Sequence, residues 1–276
     1  MPLPFPVLRL HPRFREHATP PDFSATGPQQ PAMTAHSARP RIAILTSHGQ
    51  PSAPPPPEIH LAAVAAAVQD HLPDWEVRSA TLSSKGFLEA AMREDGAVIY
   101  PFFMARGWFT GKVLPGRLKG WRYRMATPFG LDPALPALTV AAIRSALHAR
   151  GWKVAESEVL LAAHGSARGP KAAEAAEAFA STLRAQMPEL RLTTGFVEET
   201  PFVAEAARNC GAQSLCLPFF AQTGAHVRED IPAALAEAGF EGDLLPVLGA
   251  LPGVAKLMAD AIERAAETEL SSPPAA

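Results

Sequence analysis

Short runs of consecutive apolar residues alternate along the chain with longer segments in which apolar residues recur every three or four positions. Residues 42–46, Ile-Ala-Ile-Leu-Thr, form such a run, which is typical of a strand buried on both faces of a parallel sheet. The predicted strands span residues 42–46, 76–80, 97–100, 123–126, 158–163, 190–196, 214–217 and 244–247. The predicted helices span residues 58–71, 87–92, 133–149, 170–186, 201–209, 226–238 and 252–266. This alternation predicts an α/β fold.

Most of the chain consists of one unit that occurs twice. The sequence Pro-Phe-Phe-Met-Ala-Arg-Gly at 101–107 recurs as Pro-Phe-Phe-Ala-Gln-Thr-Gly at 218–224, which is 117 positions later. A second landmark, Thr-Ser-His-Gly at 46–49, returns as Ala-Ala-His-Gly at 162–165, at an offset of 116. Offsets of this size are much longer than the period of a solenoid repeat and indicate the duplication of a whole domain.

The duplication divides the predicted fold into two tandem lobes. Residues 41–150 are expected to form the first lobe and residues 151–270 the second. Each lobe is predicted to be a doubly wound, mostly parallel four-stranded sheet with helices on both faces. Residues 1–40 contain nine prolines and no helical or strand periodicity, which predicts a disordered extension. Residues 271–276 are expected to be a tail.

Composition narrows the classes of function. With 276 residues, of which 47% are hydrophobic, the chain can bury two domain-sized cores. A formal net charge of −2 gives no electrostatic reason to expect nucleic acid or an anionic membrane as a partner. No apolar stretch approaches the ~20 residues that a membrane-spanning helix needs. The spacing of Cys210 and Cys216 fits neither a metal site nor a disulfide framework, which predicts buried thiols in a reducing, cytoplasmic compartment.

Three residues with metal-binding side chains follow strand ends in the second lobe: His164, Glu198 and His226. Because the carboxyl ends of parallel strands share one edge of a sheet, we expect these side chains to converge. Two imidazoles and a carboxylate suit cobalt, nickel, iron or zinc, and they can also accept protons near neutral pH. Each residue alone has a structural alternative, since a histidine after a strand commonly caps or packs and Glu198 could belong to a solvated turn. Glu229 and Asp230 are expected to complement a helix dipole.

Four motifs of the second lobe occur together. They are His-Gly-Ser at 164–166, Gly-Phe-Val-Glu at 195–198, Pro-Phe-Phe at 218–220 and Gly-Ala-His-Val-Arg-Glu-Asp-Ile-Pro at 224–232. Together they closely resemble the sirohydrochlorin chelatases, the class II tetrapyrrole chelatases that insert cobalt or iron during cobalamin and siroheme synthesis. The resemblance runs from Ser157 to the C-terminal helix and extends more weakly over residues 41–150.

The resemblance implies an enzyme that inserts Co²⁺, Fe²⁺ or Ni²⁺ into sirohydrochlorin or a related acidic tetrapyrrole. The metal would be a substrate, no nucleotide would be needed, and His164, Glu198 and His226 would be both the metal ligands and the catalytic residues. Arg168 and Arg228 are expected to bind peripheral carboxylates of the tetrapyrrole, with ion pairing to neighbouring acids as the alternative for Arg228. The alternative function is a non-catalytic carrier of metal or tetrapyrrole. We expect a monomer with two pseudo-symmetric lobes.

The first lobe lacks two of the three metal-binding groups. The counterparts of the trio in the first lobe are, in order, His48, Ser83 and Phe109. One histidine cannot hold a divalent ion against water, so the first lobe is expected to do no metal chemistry and to form one wall of a cleft. There, Trp108 and Phe109 either contact the macrocycle or pack between the lobes.

Overall fold

Two four-stranded sheets organise the protein, and every pair of neighbouring strands is parallel. The computed structural model describes residues 40–49, 57–166 and 169–270. The first sheet has the order β2-β1-β3-β4, and its strands are β1 Arg41–Ser47, β2 Trp75–Thr81, β3 Val98–Pro101 and β4 Arg124–Met125. The second sheet has the order β6-β5-β7-β8, and its strands are β5 Glu158–Ala163, β6 Arg191–Phe196, β7 Ser214–Pro218 and β8 Asp243–Leu244. The predicted α/β class with two doubly wound lobes is confirmed.

Helices cover both faces of each sheet. They are α1 Pro57–Gln69, α2 Phe87–Ala91, α3 Leu114–Arg117, α4 Leu135–Ala149, α5 Lys171–Gln186, α6 Val203–Ala207, α7 Ile231–Ala238 and α8 Val254–Ala266. None of the helices in the described ranges is long and apolar enough to cross a membrane. The predicted extension, apart from Pro40, and the predicted tail lie outside the described residues.

The alternation of side chains along each central strand sorts the apolar residues into three cores. Ala43 and Leu45 of β1 belong to the largest core, which also contains residues of β5 and of the helices α1, α4, α5 and α8. Ile42 and Ile44 point to the opposite face and pack with α2 and α3. A third core lies under α6 and α7, on the outer face of the second sheet. The long inner helices therefore lie between the two sheets.

The last helix of each half packs beyond its own sheet. Helix α8, at the end of the second half, contacts α1, β3 and β4, whereas α4 contacts α5. Arg124 of β4 donates from Nε to the carbonyl of Thr268, just after α8, at 2.7 Å. Arg150, just after α4, pairs with Asp243 of β8. Residues from 39 onward accordingly form one compact unit, and the boundaries 41–150 and 151–270 stay a prediction.

An ion pair between a buried carboxylate and a half-exposed arginine joins the first lobe to α8, and it gives a stability prediction. The Asp132 side chain is fully buried, and its carboxylate lies 2.8 Å from Nη2 of Arg264. Arg264→Ala would leave this charged acceptor short of a donor, which is expected to lower the free energy of unfolding by about 1–3 kcal/mol. Urea unfolding followed by circular dichroism measures the change. Adding Asp132→Asn should recover part of the loss, and an unchanged urea midpoint for Arg264→Ala would contradict the expectation.

Helix α6 is shorter than predicted. The sequence predicts a helix over 201–209, but the helix spans Val203–Ala207 and has Phe202 as its N-cap. The carbonyl of Pro201 accepts the backbone N–H of Phe196, so the chain continues beside β6 before it turns. The carboxylate of Glu205 then accepts the N–H of Phe202 at 2.8 Å and satisfies one free donor at the helix start.

The predicted strands 123–126 and 244–247 shorten to Arg124–Met125 and Asp243–Leu244. Both are edge strands that pair with one neighbour only, β4 with β3 and β8 with β7. Edge position alone does not shorten a strand, since the other two edge strands, β2 and β6, span seven and six residues. In β8 the predicted span contains Pro246, which has no N–H to donate to a ladder.

A wide π-helical turn replaces the start of one predicted helix and recurs at the same place in the first lobe. The predicted helix 226–238 begins as the π turn His226–Asp230, in which the N–H of Ile231 bonds to the carbonyl of His226. Its counterpart is Phe109–Val113 in the first lobe. A proline lies one residue after each of these closing bonds, at Pro232 and at position 115. Proline crowds the carbonyl four residues before it, and the wider turn accommodates it.

Candidate metal centre

The structure brings His164, Glu198 and His226 together at the carboxyl ends of β5, β6 and β7. One candidate ligand atom from each of the three lies within 4.8 Å of the others. Across residues 40–49, 57–166 and 169–270, this is the only group of histidine, cysteine and carboxylate side chains with such geometry. The two imidazole rings meet nearly at right angles, with centroids 4.6 Å apart.

Backbone hydrogen bonds between the ends of β5 and β6 place Glu198 next to His164. The N–H of Glu198 donates to the carbonyl of His164 at 3.0 Å. The neighbouring Glu199 turns the other way and accepts the N–H of Ser166 at 2.7 Å. Gly165 lies between them with φ +68°, and a Cβ there would come within 2.7 Å of the Glu199 carboxylate. Glu199 therefore holds the loop, and Glu198 is the acid that faces the histidines.

Both histidines use Nδ1 for a contact within the protein. Nδ1 of His164 lies 2.8 Å from the carbonyl oxygen of Gly165. Because a carbonyl can only accept, this nitrogen carries the hydrogen and Nε2 is left with a free lone pair. Nδ1 of His226 lies 2.6 Å from the carboxylate of Asp230, across the π turn. A carboxylate behind a ligating histidine is a common arrangement in metal sites, because it fixes the ring and its tautomer.

Asp230 is the site residue that the sequence assigns to a different role. The expected helix-dipole role does not describe its contact with His226, which lies four residues earlier. The duplication contains a signal for the pair, because the positions equivalent to His226 and Asp230 in the first lobe are Phe109 and Val113. Both members of the pair are apolar there.

The cluster is accessible from solvent. The side chains of His164, Glu198 and His226 are 42%, 44% and 36% exposed. A cavity of about 540 Å³ between α6 and α7 is lined by Glu198, His226 and Asp230 together with apolar residues such as Phe196. Another cavity, of about 300 Å³, lies at the amino ends of β1 and β3 and contains none of these residues. A small charged species can therefore reach the trio without the fold opening.

Of the two predicted arginines, only Arg228 lies within the described residues. Arg168 lies outside the described residues. Arg228 donates from Nη1 to the carbonyl of Thr223 at 3.2 Å. Within the described part of the chain, it forms no ion pair with Glu229 or Asp230, which was the alternative. Its role toward a tetrapyrrole stays a prediction.

The first lobe repeats the backbone of this site with different side chains. The N–H of Ser83 donates to the carbonyl of His48 at 2.8 Å, as Glu198 does to His164 in the second lobe. Phe109 opens the first π turn, and its ring lies 4.4 Å from that of His48, between centroids. Partial burial in this contact lowers the pKa of His48. The predicted counterparts Ser83 and Phe109 thus occupy the positions of the missing ligands.

Comparison with known proteins places these features in a family. The family model CbiX matches residues 158–265. The structure described as CbiX, the terminal enzyme for biosynthesis of siroheme in denitrifying bacteria, is 43% identical, with a TM-score of 0.73 over 82% of this chain and 99% of that one. No protein in the curated set matches the sequence.

Two structures of SirB show the same fold at low identity. SirB from Bacillus subtilis with Fe³⁺ is 15% identical, with a TM-score of 0.67 over 83% of this chain and 96% of that one. The sirohydrochlorin chelatase SirB from Bacillus subtilis subspecies spizizenii, in complex with cobalt, is 14% identical, with a TM-score of 0.57 over the same shares. With 43% identity to a relative that it covers almost completely, the chain belongs to the CbiX family.

Proposed function

We propose that the protein inserts a divalent metal ion into sirohydrochlorin or a closely related acidic tetrapyrrole, and that His164, Glu198 and His226 hold the metal. The observation that carries the proposal is the half-exposed trio with its ligand atoms within 4.8 Å of one another. The 43% identical relative, named as the terminal enzyme of siroheme biosynthesis, supports the same reaction. Co²⁺, Fe²⁺ and Ni²⁺ all suit this set of donors.

The trio can present the metal from one side. Nε2 of His164 and Nε2 of His226 are the free imidazole donors, since both Nδ1 atoms already have partners. With one carboxylate oxygen from Glu198, three protein ligands leave coordination positions for water and then for ring nitrogens. An open site of this kind can release the ion as the macrocycle takes it over.

The proton balance gives Glu198 a second role. Insertion of the dication breaks the two pyrrole N–H bonds of the free-base ring and forms metal–nitrogen bonds in their place, so two protons must leave. The Glu198 carboxylate lies 3.7 Å from Nδ1 of His164 and is 44% exposed. As the metal leaves Glu198 for the ring nitrogens, this carboxylate is free to accept the two protons in turn and to pass each of them to solvent.

Asp230 is proposed to orient His226, and its replacement gives a quantitative prediction. Asp230→Ala removes the acceptor of the Nδ1–H bond and should weaken Co²⁺ binding by about 10–100-fold. Asp230→Asn still offers a carbonyl acceptor and should retain more affinity. Glu229→Ala is the matched control, because it removes the same charge from the adjacent residue of the same turn. Calorimetric titration with Co²⁺ measures the affinities, and equal losses from Asp230→Ala and Glu229→Ala would exclude the positioning role.

A non-catalytic carrier is the alternative to the enzyme, and turnover separates them. Purified protein at a tenth or less of the sirohydrochlorin concentration is mixed with Co²⁺, and the absorption change is compared with the uncatalysed rate. A chelatase converts many equivalents of pigment, whereas a carrier changes the spectrum of one equivalent at most. The same assay with Fe²⁺ and Ni²⁺ ranks the metals.

We further propose a cytoplasmic monomer. Cys210 and Cys216 are unpaired, which suits a reducing compartment. Burial raises the pKa of Cys216 to about 12, so this thiol stays protonated and unreactive. The two lobes already provide two facing halves in one chain, and size-exclusion chromatography with light scattering tests the monomeric state.

A further inference from the structure

The two copies of the duplicated unit carry opposite charge over one segment. Residues 101–131 of the first lobe contain six cations and no acid, namely Arg106, Lys112, Arg117, Lys119, Arg122 and Arg124. The equivalent residues 218–248 of the second lobe contain one cation and five acids, namely Arg228, Glu229, Asp230, Glu237, Glu241 and Asp243. His226 of the metal trio belongs to the acidic segment 218–248, and negative charge near the trio favours a dication. The positive charge of residues 101–131 favours a negatively charged ligand.

Only part of the basic segment is available for a ligand. Arg117 is bound to Glu89 and to the carbonyl of Leu82, and Arg124 donates to Thr268. Arg122 lies at the amino end of the sheet, because its carbonyl accepts the N–H of Gly96 just before β3. Lys119 lies three residues before Arg122, after the end of α3, and so on the same side. These residues hold the fold or lie away from the strand ends where the metal centre has its counterpart.

Arg106 and Lys112 remain, and they flank the exposed Trp108 and the partly buried Phe109. Both are exposed, and within the described residues neither has an ion-pair partner. Between them, Trp108 is 62% exposed, more than any other large apolar side chain in the described part of the chain. It therefore does not pack between the lobes, which was one of its two expected roles. Its ring meets Phe109 edge to face at 5.3 Å.

These residues follow β3, at the carboxyl end of the first sheet, where its loops contact loops of the second sheet. Phe102, the first residue after β3, lies so close to Gly249 that a Cβ on that glycine would be 2.7 Å from the Phe102 ring. The same Cβ would also collide with the carbonyl of Ala221, which follows β7. The loops at the carboxyl ends of the two sheets are therefore in contact, and His226 follows Ala221 by five residues.

We propose that Arg106, Trp108, Phe109 and Lys112, here called the basic aromatic face, bind the acidic tetrapyrrole. The inference rests on the proposed function and adds a division of labour: the second lobe holds the metal, and the first lobe holds the ring. A free-base tetrapyrrole has flat π faces and peripheral carboxylates. Trp108 and Phe109 supply aromatic surface for the ring, and the two cations pair with its carboxylates. At the positions equivalent to Glu198 and His226 the first lobe has Ser83 and Phe109, and Phe109 belongs to this face.

Charge reversal with a matched control tests the proposal. The double variant Arg106→Glu/Lys112→Glu should raise the sirohydrochlorin Kd by about tenfold or more at low salt, because like charges then face the carboxylates. Lys119→Glu/Arg122→Glu makes the same change of charge within the same segment and should leave the Kd near that of the wild type. Calorimetric Co²⁺ affinity, measured without pigment, should be unchanged in both.

Trp108 gives an independent readout. Bound pigment should quench its fluorescence, and Trp108→Ala should weaken sirohydrochlorin binding about three- to tenfold, with Trp108→Phe in between. Leu244→Ala removes an exposed apolar side chain from the edge strand β8 and should have no effect.

The outcomes separate the two proposals. If the wild-type protein neither binds nor metallates sirohydrochlorin, the proposed function fails and this inference fails with it. If the wild type metallates sirohydrochlorin while Arg106→Glu/Lys112→Glu keeps the wild-type Kd and salt dependence, only the inference is overturned. Equal losses in the two charge-reversal variants would also overturn it, since they would reflect the overall field of the protein.

Discussion

His164→Ala and His226→Ala should each nearly abolish catalysed metal insertion. Each change removes one of two imidazole donors from a cluster that has three ligand residues. Loss of an outer-shell partner already costs about 10–100-fold in affinity or activity, and loss of a ligand should cost more. The side chains are 42% and 36% exposed, so their truncation leaves no buried cavity and the fold should persist. Initial rates of Co²⁺ insertion into sirohydrochlorin measure the effect, and circular dichroism checks the fold.

His48→Ala is the matched control for these variants. His48 follows β1 as His164 follows β5, but it contacts Phe109 where His164 faces His226. Its removal should lower the rate much less than His164→Ala does, with the same metal and pigment. Equal losses would mean that His48 faces the metal from the first lobe, and the assignment of one active lobe would be wrong.

The parts of the fold that the sequence predicts best are those that local pattern determines. Strand β5 matches its predicted bounds, 158–163, because an apolar run of this length fits a strand buried on both faces and is too short for a typical buried helix. The packing of α4 and α8 beyond their own sheets could not be predicted in this way. An amphipathic helix has an apolar face, but the pattern does not specify which sheet that face covers. The start of α6 depends on the contact of residues 201 and 202 with the end of β6, which is again a tertiary property.

The sequence predicts the three residues of the candidate site, but it does not predict all the hydrogen bonds that orient them. Strand-end placement predicts that His164, Glu198 and His226 meet, since parallel strands present their carboxyl ends at one edge. The choice between Glu198 and Glu199 depends on the turn at Gly165, where a hydrogen bond turns one carboxylate away. Asp230 lies four residues after His226, a spacing that brings side chains together on a helix, so the predicted helix 226–238 already contained a signal for this contact.

The net charge of the whole chain does not show that the two lobes differ in charge over one segment. The total of −2 gives no electrostatic reason to expect nucleic acid or an anionic membrane, yet the equivalent segments 101–131 and 218–248 carry opposite net charge. Binding depends on the local field within about 10 Å at ordinary ionic strength, so the segment is the relevant unit. The difference is visible when the two copies are aligned, whereas in the composition of the whole chain the two charges largely cancel.

Ser83→Glu, Phe109→His and Val113→Asp together should create a second metal site in the first lobe. The backbone there already matches the second lobe, since Ser83 bonds to His48 as Glu198 bonds to His164. The Phe109 ring lies 4.4 Å from His48, close to the 4.6 Å between the two rings of the metal centre. Val113→Asp supplies the acceptor that Asp230 gives to His226 across the same kind of turn.

Calorimetric titration with Co²⁺ should therefore find two equivalents per chain in the triple variant and one in the wild type. In a His164→Ala/His226→Ala background, the triple variant should retain one equivalent, which assigns it to the first lobe. Phe109→His alone is the control, because two imidazoles without a carboxylate should bind Co²⁺ far more weakly.

The triple variant should also bind sirohydrochlorin less tightly, since it removes Phe109 from the basic aromatic face and adds two acids to the first lobe. A single equivalent in the triple variant would mean that the two lobes differ in more than these three side chains. If the triple variant binds a second Co²⁺ and binds sirohydrochlorin less tightly, these three side chains determine whether this backbone favours a metal ion or the macrocycle.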